Sequence, residues 1–264
     1  MGGRFHNAIL RRCNGGSLGA SAVVAVESTV HAATRAYRAV DRLVCPSRFL
    51  EGKMREAGVF PERLRWVPNF VDPGSPPPAT VPRDGIVFAG RLSAEKGVDV
   101  LLRALALLPD EHLDVAGDGP SRPGLETLAA ELGVADRVVF LGRIDADEVR
   151  KRLERAAVAV LPARWYENQP LAILEAFAAG TPVIGTDLGG IPELIEPGVD
   201  GEIVPAENRV ALAAAIRSVV QQPARAQAMG HAARAKAERE FGPGVHRDRL
   251  YAVYDEAGGA RWSR

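Results

Sequence analysis

From Gly85 onward the chain alternates short apolar, β-branched runs with segments of helical periodicity. In order these are IVFAG, GVDVLLRALALL, HLDVAG, LETLAAELG, RVVFLG, DEVRKRLERA, VAVLP, PLAILEAFAAG, PVIGT and IPELIE. A strand that is apolar at successive positions presents hydrophobic side chains to both faces of its sheet, so both faces must be covered. Strands separated by helical segments meet that demand as a parallel sheet with helices on each side. The expected fold is therefore α/β, a doubly wound Rossmann-like sheet, with ligands bound at the carboxyl ends of its strands.

Upstream the pattern changes. Residues 73–84 read PGSPPPATVPRD, and repeated proline removes amide donors and stiffens the chain, which predicts an interdomain linker. Residues 1–72 hold one long helical pattern from Leu18 to Tyr37, the strand DRLVCPS, an amphipathic helix from Ser47 to Ala57 with Ser47 as N-cap, and the strand LRWVP. Two strands and two helices are too few to close an independent sheet, so this region is expected to be the remnant of a domain whose beginning is missing. The α/β domain is assigned to residues 85–240. A final helix, 241–264, is expected to pack back on the N-terminal part.

Composition bounds the function. The 264 residues are 47% hydrophobic, enough for a sizeable core, and 33 Lys plus Arg balance 33 Asp plus Glu. No bulk field recruits nucleic acid, so specificity must reside in a local site. Cys13 and Cys45 lack metal-ligand spacing and read as two buried thiols in a reducing compartment. The start of the chain shows no targeting pattern, and the apolar run LGASAVVAVES is interrupted by Glu27 well short of the roughly 20 residues of a spanning helix. The reading is cytoplasmic, with peripheral contact at the inner face of a membrane left open.

Four stretches bear on chemistry. In AGRLSAEKG a buried strand ends at Gly90, Arg91 follows, and Lys96 opens the next helix. A guanidinium fork and an ammonium beside helix-terminal amides can hold a diphosphate without a metal. AGDGP begins like a dinucleotide fingerprint, but Arg122 stands where its third glycine belongs, so no dinucleotide site is read from it. IDADEV is read as a capping box, Asp145 as N-cap with Glu148 three residues on, and no metal site is assigned. In WYENQPLAILEAFAAGTPVI, Pro170 fits a first helical position, placing Glu167 in the preceding loop and Glu175 inside the helix, flanked by Leu174, Ala176 and Phe177. An unpaired charge there is costly unless a ligand or partner satisfies it.

RLSAEKG, followed by ENQPLAILEAFAAGTPVI and TDLGGIPELI, resembles the donor-binding domain of the retaining glycosyltransferases of family 4, which have the GT-B architecture of two facing Rossmann-like domains. The spacing of Glu167 and Glu175 matches that family's two-glutamate motif, and the resemblance runs over almost the whole chain. It implies a hexosyltransferase that is metal-independent and has no cofactor, a nucleotide-diphosphate sugar (UDP- or GDP-hexose) being its co-substrate. By the same resemblance Gly90, Arg91 and Lys96 meet the diphosphate and support the leaving group. Glu167 holds sugar hydroxyls and counts with Arg91 and Lys96 as catalytic. Glu175 accepts from the ribose hydroxyls. The amides around Asn168, Gln169, Pro170 and Leu171 meet phosphate and sugar, and the loop Gly142, Arg143, Ile144 lies near the base. The acceptor is a glycan, lipid or small molecule.

One departure stands out. Members of that family begin with a full acceptor domain carrying a histidine near the reacting carbon. Here His6, in RFHNAIL, resembles the segment that follows that motif and is expected to be a helix or loop residue. The chain is therefore expected to be a donor domain with a partial acceptor domain, impaired in transfer or completed by a second chain. The alternative function is a non-catalytic nucleotide-sugar-binding module or partner subunit. A nucleotide-sugar epimerase of related fold fits the two-glutamate spacing with Arg91 and Lys96 less well.

Overall fold

The computed structural model describes residues 5–76 and 83–258. They divide into a smaller unit, made of the chain up to Cys45, Glu51–Trp66 and the chain from Tyr251, and a larger one made of Pro46–Leu50 and Val67–Leu250.

The smaller unit contains α1 (His6–Leu10), α2 (Leu18–Ala33) and the parallel pair β1 (Leu43–Cys45) and β2 (Leu64–Trp66), with Leu43 opposite Leu64. His6 opens α1, as a helix residue. The helix expected over Leu18 to Tyr37 stops at Ala33. The Thr34 hydroxyl folds back on the Val30 carbonyl at 2.8 Å, Arg35 turns left-handed at φ 55°, and a 3-10 turn, Ala36–Ala39, follows. Arg63 then donates to the carbonyls of Arg38 and Val40. Arg42 and Arg65 both donate to the Glu256 carboxylate, at 3.2 and 2.6 Å, tying in the last helix of the chain. The cysteines are not alike. Cys45 is buried on β1 and its thiol pKa is raised by that burial, whereas Cys13, in the turns after α1, is exposed. Helix α3 (Arg48–Glu56) begins in the larger unit, where the Ser47 hydroxyl accepts from the Leu50 amide at 3.1 Å, the N-cap the sequence calls for.

The larger unit follows the alternation read from the sequence, with one strand, β8, that the reading did not include: β3 (Ile86–Ala89), α4 (Val98–Leu105), β4 (Leu113–Ala116), α5 (Arg122–Glu131), β5 (Val138–Gly142), α6 (Ala146–Arg155), β6 (Val158–Leu161), α7 (Leu171–Ala178), β7 (Val183–Thr186), α8 (Ile191–Leu194), β8 (Gly201–Val204), α9 (Arg209–Val220) and α10 (Pro223–Phe241), with α11 (Pro243–Gly258) running on from it. Six strands form one sheet in the order β5-β4-β3-β6-β7-β8, every pair parallel. The central strands are sealed on both faces, as their uniform apolarity requires, whereas edge strand β5 leaves Val139 in solvent. The strand order reverses between β3 and β6, which opens a crevice at their carboxyl ends.

Local signals behave as chemistry dictates. The Asp145 carboxylate accepts from the Glu148 amide at 2.8 Å, so it caps α6. Of the expected linker, residues 77–82 lie outside the described residues. The ends that are described are held by arginines. Arg234 of α10 donates to the carbonyls of Pro73 and Gly74 at 2.9 and 2.6 Å, Arg150 donates to that of Ser75, and Arg83 reaches Thr181 and the Ala179 carbonyl. Among the described residues no helix is long and apolar enough to cross a membrane.

Candidate functional site

A cleft of about 570 Å³ opens at the carboxyl ends of β3, β4, β5 and β6, where the strand order reverses. Its floor is Ala89 and Gly90 after β3, Ala116 and Gly117 after β4, and Leu161 on β6. Arg143 and Ile144 form one side, and Lys96, Glu167 and the start of α7 form the other.

Lys96 is brought there by a turn that only glycine permits. After β3 the chain makes a 3-10 turn, Ala94–Lys96, and passes into α4 through Gly97 at φ 69°. A Cβ at Gly97 would stand 2.0 Å from the Pro162 carbonyl oxygen, so the missing side chain lets this turn lie against the end of β6. Lys96 Nζ then reaches Glu167 Oε1 at 2.5 Å, with both side chains about one-fifth exposed.

Glu167 sits in the loop before α7. Its carbonyl accepts from the Gly190 amide at 2.7 Å, and a Cβ at Gly190 would stand 1.9 Å from the Asn168 carbonyl oxygen. The glycine pair in TDLGG was visible in the sequence, but its role as the seat of the Glu167 loop was not, because the contact spans more than 20 residues.

Helix α7 buries Ile173, Leu174, Ala176, Phe177 and Ala178 in the core, which leaves the Leu171–Glu175 stripe, four residues apart, facing the cleft. Glu175 has no hydrogen-bond or ion-pair partner among the described side chains. Solvent reaches it through the cleft mouth, yet the surrounding walls strip enough water to raise its carboxyl pKa, with desolvation as the cause. Pro170 has ψ 117° and stands as the N-cap rather than the first helical residue expected, since its extended backbone leaves it outside the helical turn. The free amides at the start of α7 open toward the same space as Lys96 and Arg143, a setting that suits an anion.

Not every expected residue lines this cleft. Arg91, directly after Gly90 of the cleft floor, is exposed and is not among the lining residues. It lies near Glu95, whose carboxyl is held below the usual range chiefly by the Ser93 hydroxyl at 2.6 Å, with Arg91 and Lys96 adding their charge. Gly142 pairs with Gly117 at the end of β5, and only Arg143 and Ile144 of its loop reach the cleft wall. Asn168 is turned away, its Oδ1 accepting from the Ser47 hydroxyl at 2.5 Å, while Gln169 lines the cleft and accepts from the Asn69 amide at 2.5 Å. Val149 of α6 lines the cleft without having been foreseen, because nothing in its local pattern separates it from core residues. Among the described residues no three His, Cys, Asp or Glu side chains cluster as metal ligands.

Residues 80–236 match the family model described as glycosyl transferases group 1. The chain belongs to that family. Among related group 1 proteins, it is 32% identical over 231 residues to D-inositol 3-phosphate glycosyltransferase of Streptomyces scabiei, covering 78% of this chain and 52% of that protein. It is 31% identical to alpha-D-kanosaminyltransferase of Streptomyces kanamyceticus, covering 66% of this chain and 46% of the other. The chain thus spans about half the length of these two relatives. Sucrose-phosphate synthase from Thermosynechococcus elongatus superposes with a TM-score of 0.74 at 28% identity, over 82% of this chain and 58% of that one. Anabaena HepE, in complex with UDP, superposes with a TM-score of 0.78 at 21% identity, over 89% and 67%, and shares the fold. The α/β architecture of this group 1 member is therefore that of the GT-B glycosyltransferases.

Proposed function

We propose that this chain captures a nucleotide-diphosphate hexose and serves a retaining, metal-independent glycosyl transfer of the family 4 type to a glycan, lipid or small-molecule acceptor. The observation that carries this reading is the convergence of Lys96, Glu167 and Glu175 on one cleft at the strand-order reversal of the sheet. Lys96 takes the diphosphate, with the free amides of α7 on the same side of the cleft, and stabilises the negative charge that develops as the bond from the sugar carbon to phosphate oxygen breaks. Glu175, unpaired and partly desolvated, accepts from the ribose hydroxyls. Glu167 holds hydroxyls of the transferred sugar, and Arg143 and Ile144 flank the base. Arg91, exposed directly after Gly90 of the cleft floor, adds its guanidinium to the diphosphate. The UDP held by HepE, on the same fold, is consistent with this donor class.

The test is calorimetric titration of UDP, GDP and their hexose conjugates into the purified chain, with Lys96→Ala, Arg91→Ala and Glu175→Ala alongside. Saturable binding that is lost with Glu175→Ala and weakened with Lys96→Ala supports the reading and names the base. Absence of binding by a folded chain overturns it. Binding without turnover against any acceptor assigns the chain instead to a nucleotide-sugar-binding module.

A further inference from the structure

The loop that presents Glu167 is held from outside the cleft. On one side of Glu167, the ring of Tyr166 lies 5.1 Å from that of Phe49, tilted by 40°. On the other side, Asn168 accepts from the hydroxyl of Ser47, which is 2% exposed. Ser47 and Phe49 are themselves fixed at the start of α3. The Glu193 carboxylate accepts from the amides of both Arg48, at 2.7 Å, and Phe49, and the Ser47 hydroxyl accepts from the Leu50 amide. Glu193 lies on the short helix α8, directly after Gly190, whose amide donates to the Glu167 carbonyl. The two neighbours and the backbone of Glu167 are thus restrained by one connected cluster, and its carboxylate alone projects to Lys96.

We infer that Ser47, Phe49 and Glu193 are positioning residues that set the Glu167 carboxylate for the sugar of the donor, without touching the donor themselves. The inference rests on the reading of Glu167 as the sugar-holding carboxylate. A carboxylate on an unrestrained loop would lose much of its hydrogen-bond geometry to the sugar, because ordering the loop would then fall on ligand binding. The nucleotide end of the site, on α7 and the β5–α6 loop, is built on other contacts and should not sense the change.

The test compares two affinities in each full-length variant: that of the nucleoside diphosphate and that of its hexose conjugate, using UDP with UDP-glucose and GDP with GDP-mannose. Glu167→Gln provides the reference loss of preference for the conjugate. Ser47→Ala and Phe49→Ala are expected to reproduce that loss, roughly five- to tenfold in the ratio of the two constants, while the diphosphate alone changes less than about twofold. Ser47→Thr, which keeps the hydroxyl, is expected to restore the ratio. A folding defect would weaken both ligands together, so a parallel loss overturns the inference, as does an unchanged ratio in Ser47→Ala and Phe49→Ala when Glu167→Gln has lost it. An unchanged ratio in Glu167→Gln itself overturns the underlying reading of Glu167.

Discussion

Lys96 Nζ and Glu167 Oε1 stand 2.5 Å apart on one side of the cleft, joining the turn after β3 to the loop before α7. Both ends of this pair are assigned to one ligand, the ammonium to phosphate and the carboxylate to sugar. In the free protein each neutralises the other.

Breaking this pair should separate binding from stability. Lys96→Ala is expected to weaken UDP or GDP roughly 10- to 100-fold, as loss of a charge-assisted contact does, while stability changes by less than about 1 kcal/mol because the pair is partly solvated. Glu167→Gln should tighten the bare diphosphate, since it frees the ammonium, and weaken preference for the sugar conjugate. Calorimetry and thermal melts on the two variants check both statements.

Glu175 gives a pH signature with a definite sign. Desolvation raises its pKa in the folded chain, so the folded state holds the proton more tightly than the unfolded one. That contribution is complete below the unfolded carboxyl pKa, about 4.3, and is lost as pH rises through the folded value. Glu175→Gln should therefore be more stable than the parent at neutral pH, with the advantage vanishing toward about pH 4, while nucleotide affinity falls about tenfold or more. Urea titrations across this range, paired with calorimetry, decide it.

Gly97→Ala should damage fold and site together. At φ 69°, with the Pro162 carbonyl 2.0 Å from the new Cβ, the turn must open, at a cost of about 2 kcal/mol or more. Because Lys96 is the preceding residue, diphosphate affinity should fall as well. Circular dichroism melts and calorimetry on this variant report the two effects separately.

Arg234 tests the far end of α7. Its guanidinium, 8% exposed, donates to the carbonyl of Ala178 and to those of Pro73 and Gly74. Arg234→Ala takes the side-chain donor from the Ala178 and Gly74 carbonyls, Pro73 keeping Arg150 at 3.0 Å, and should cost about 3 kcal/mol in urea unfolding. Arg234→Lys, which keeps the charge but not the planar fork, should recover only part.

How much was legible in the chain follows from the range of each interaction. Strand and helix order from Ile86 through β7, the caps at Ser47 and Asp145, and the stripe that puts Glu175 on an uncovered face of α7 depend on periodicity and on contacts three or four residues apart, which a linear sequence displays. The family resemblance likewise rests on motif spacing. Tertiary structure alone decided that Lys96 meets Glu167, that Val149 lines the cleft, and that Asn168 turns to Ser47. These outcomes depend on how parallel strands bring distant loops to one edge of the sheet. That juxtaposition follows from burying the strands' apolar faces together, and no local pattern encodes it.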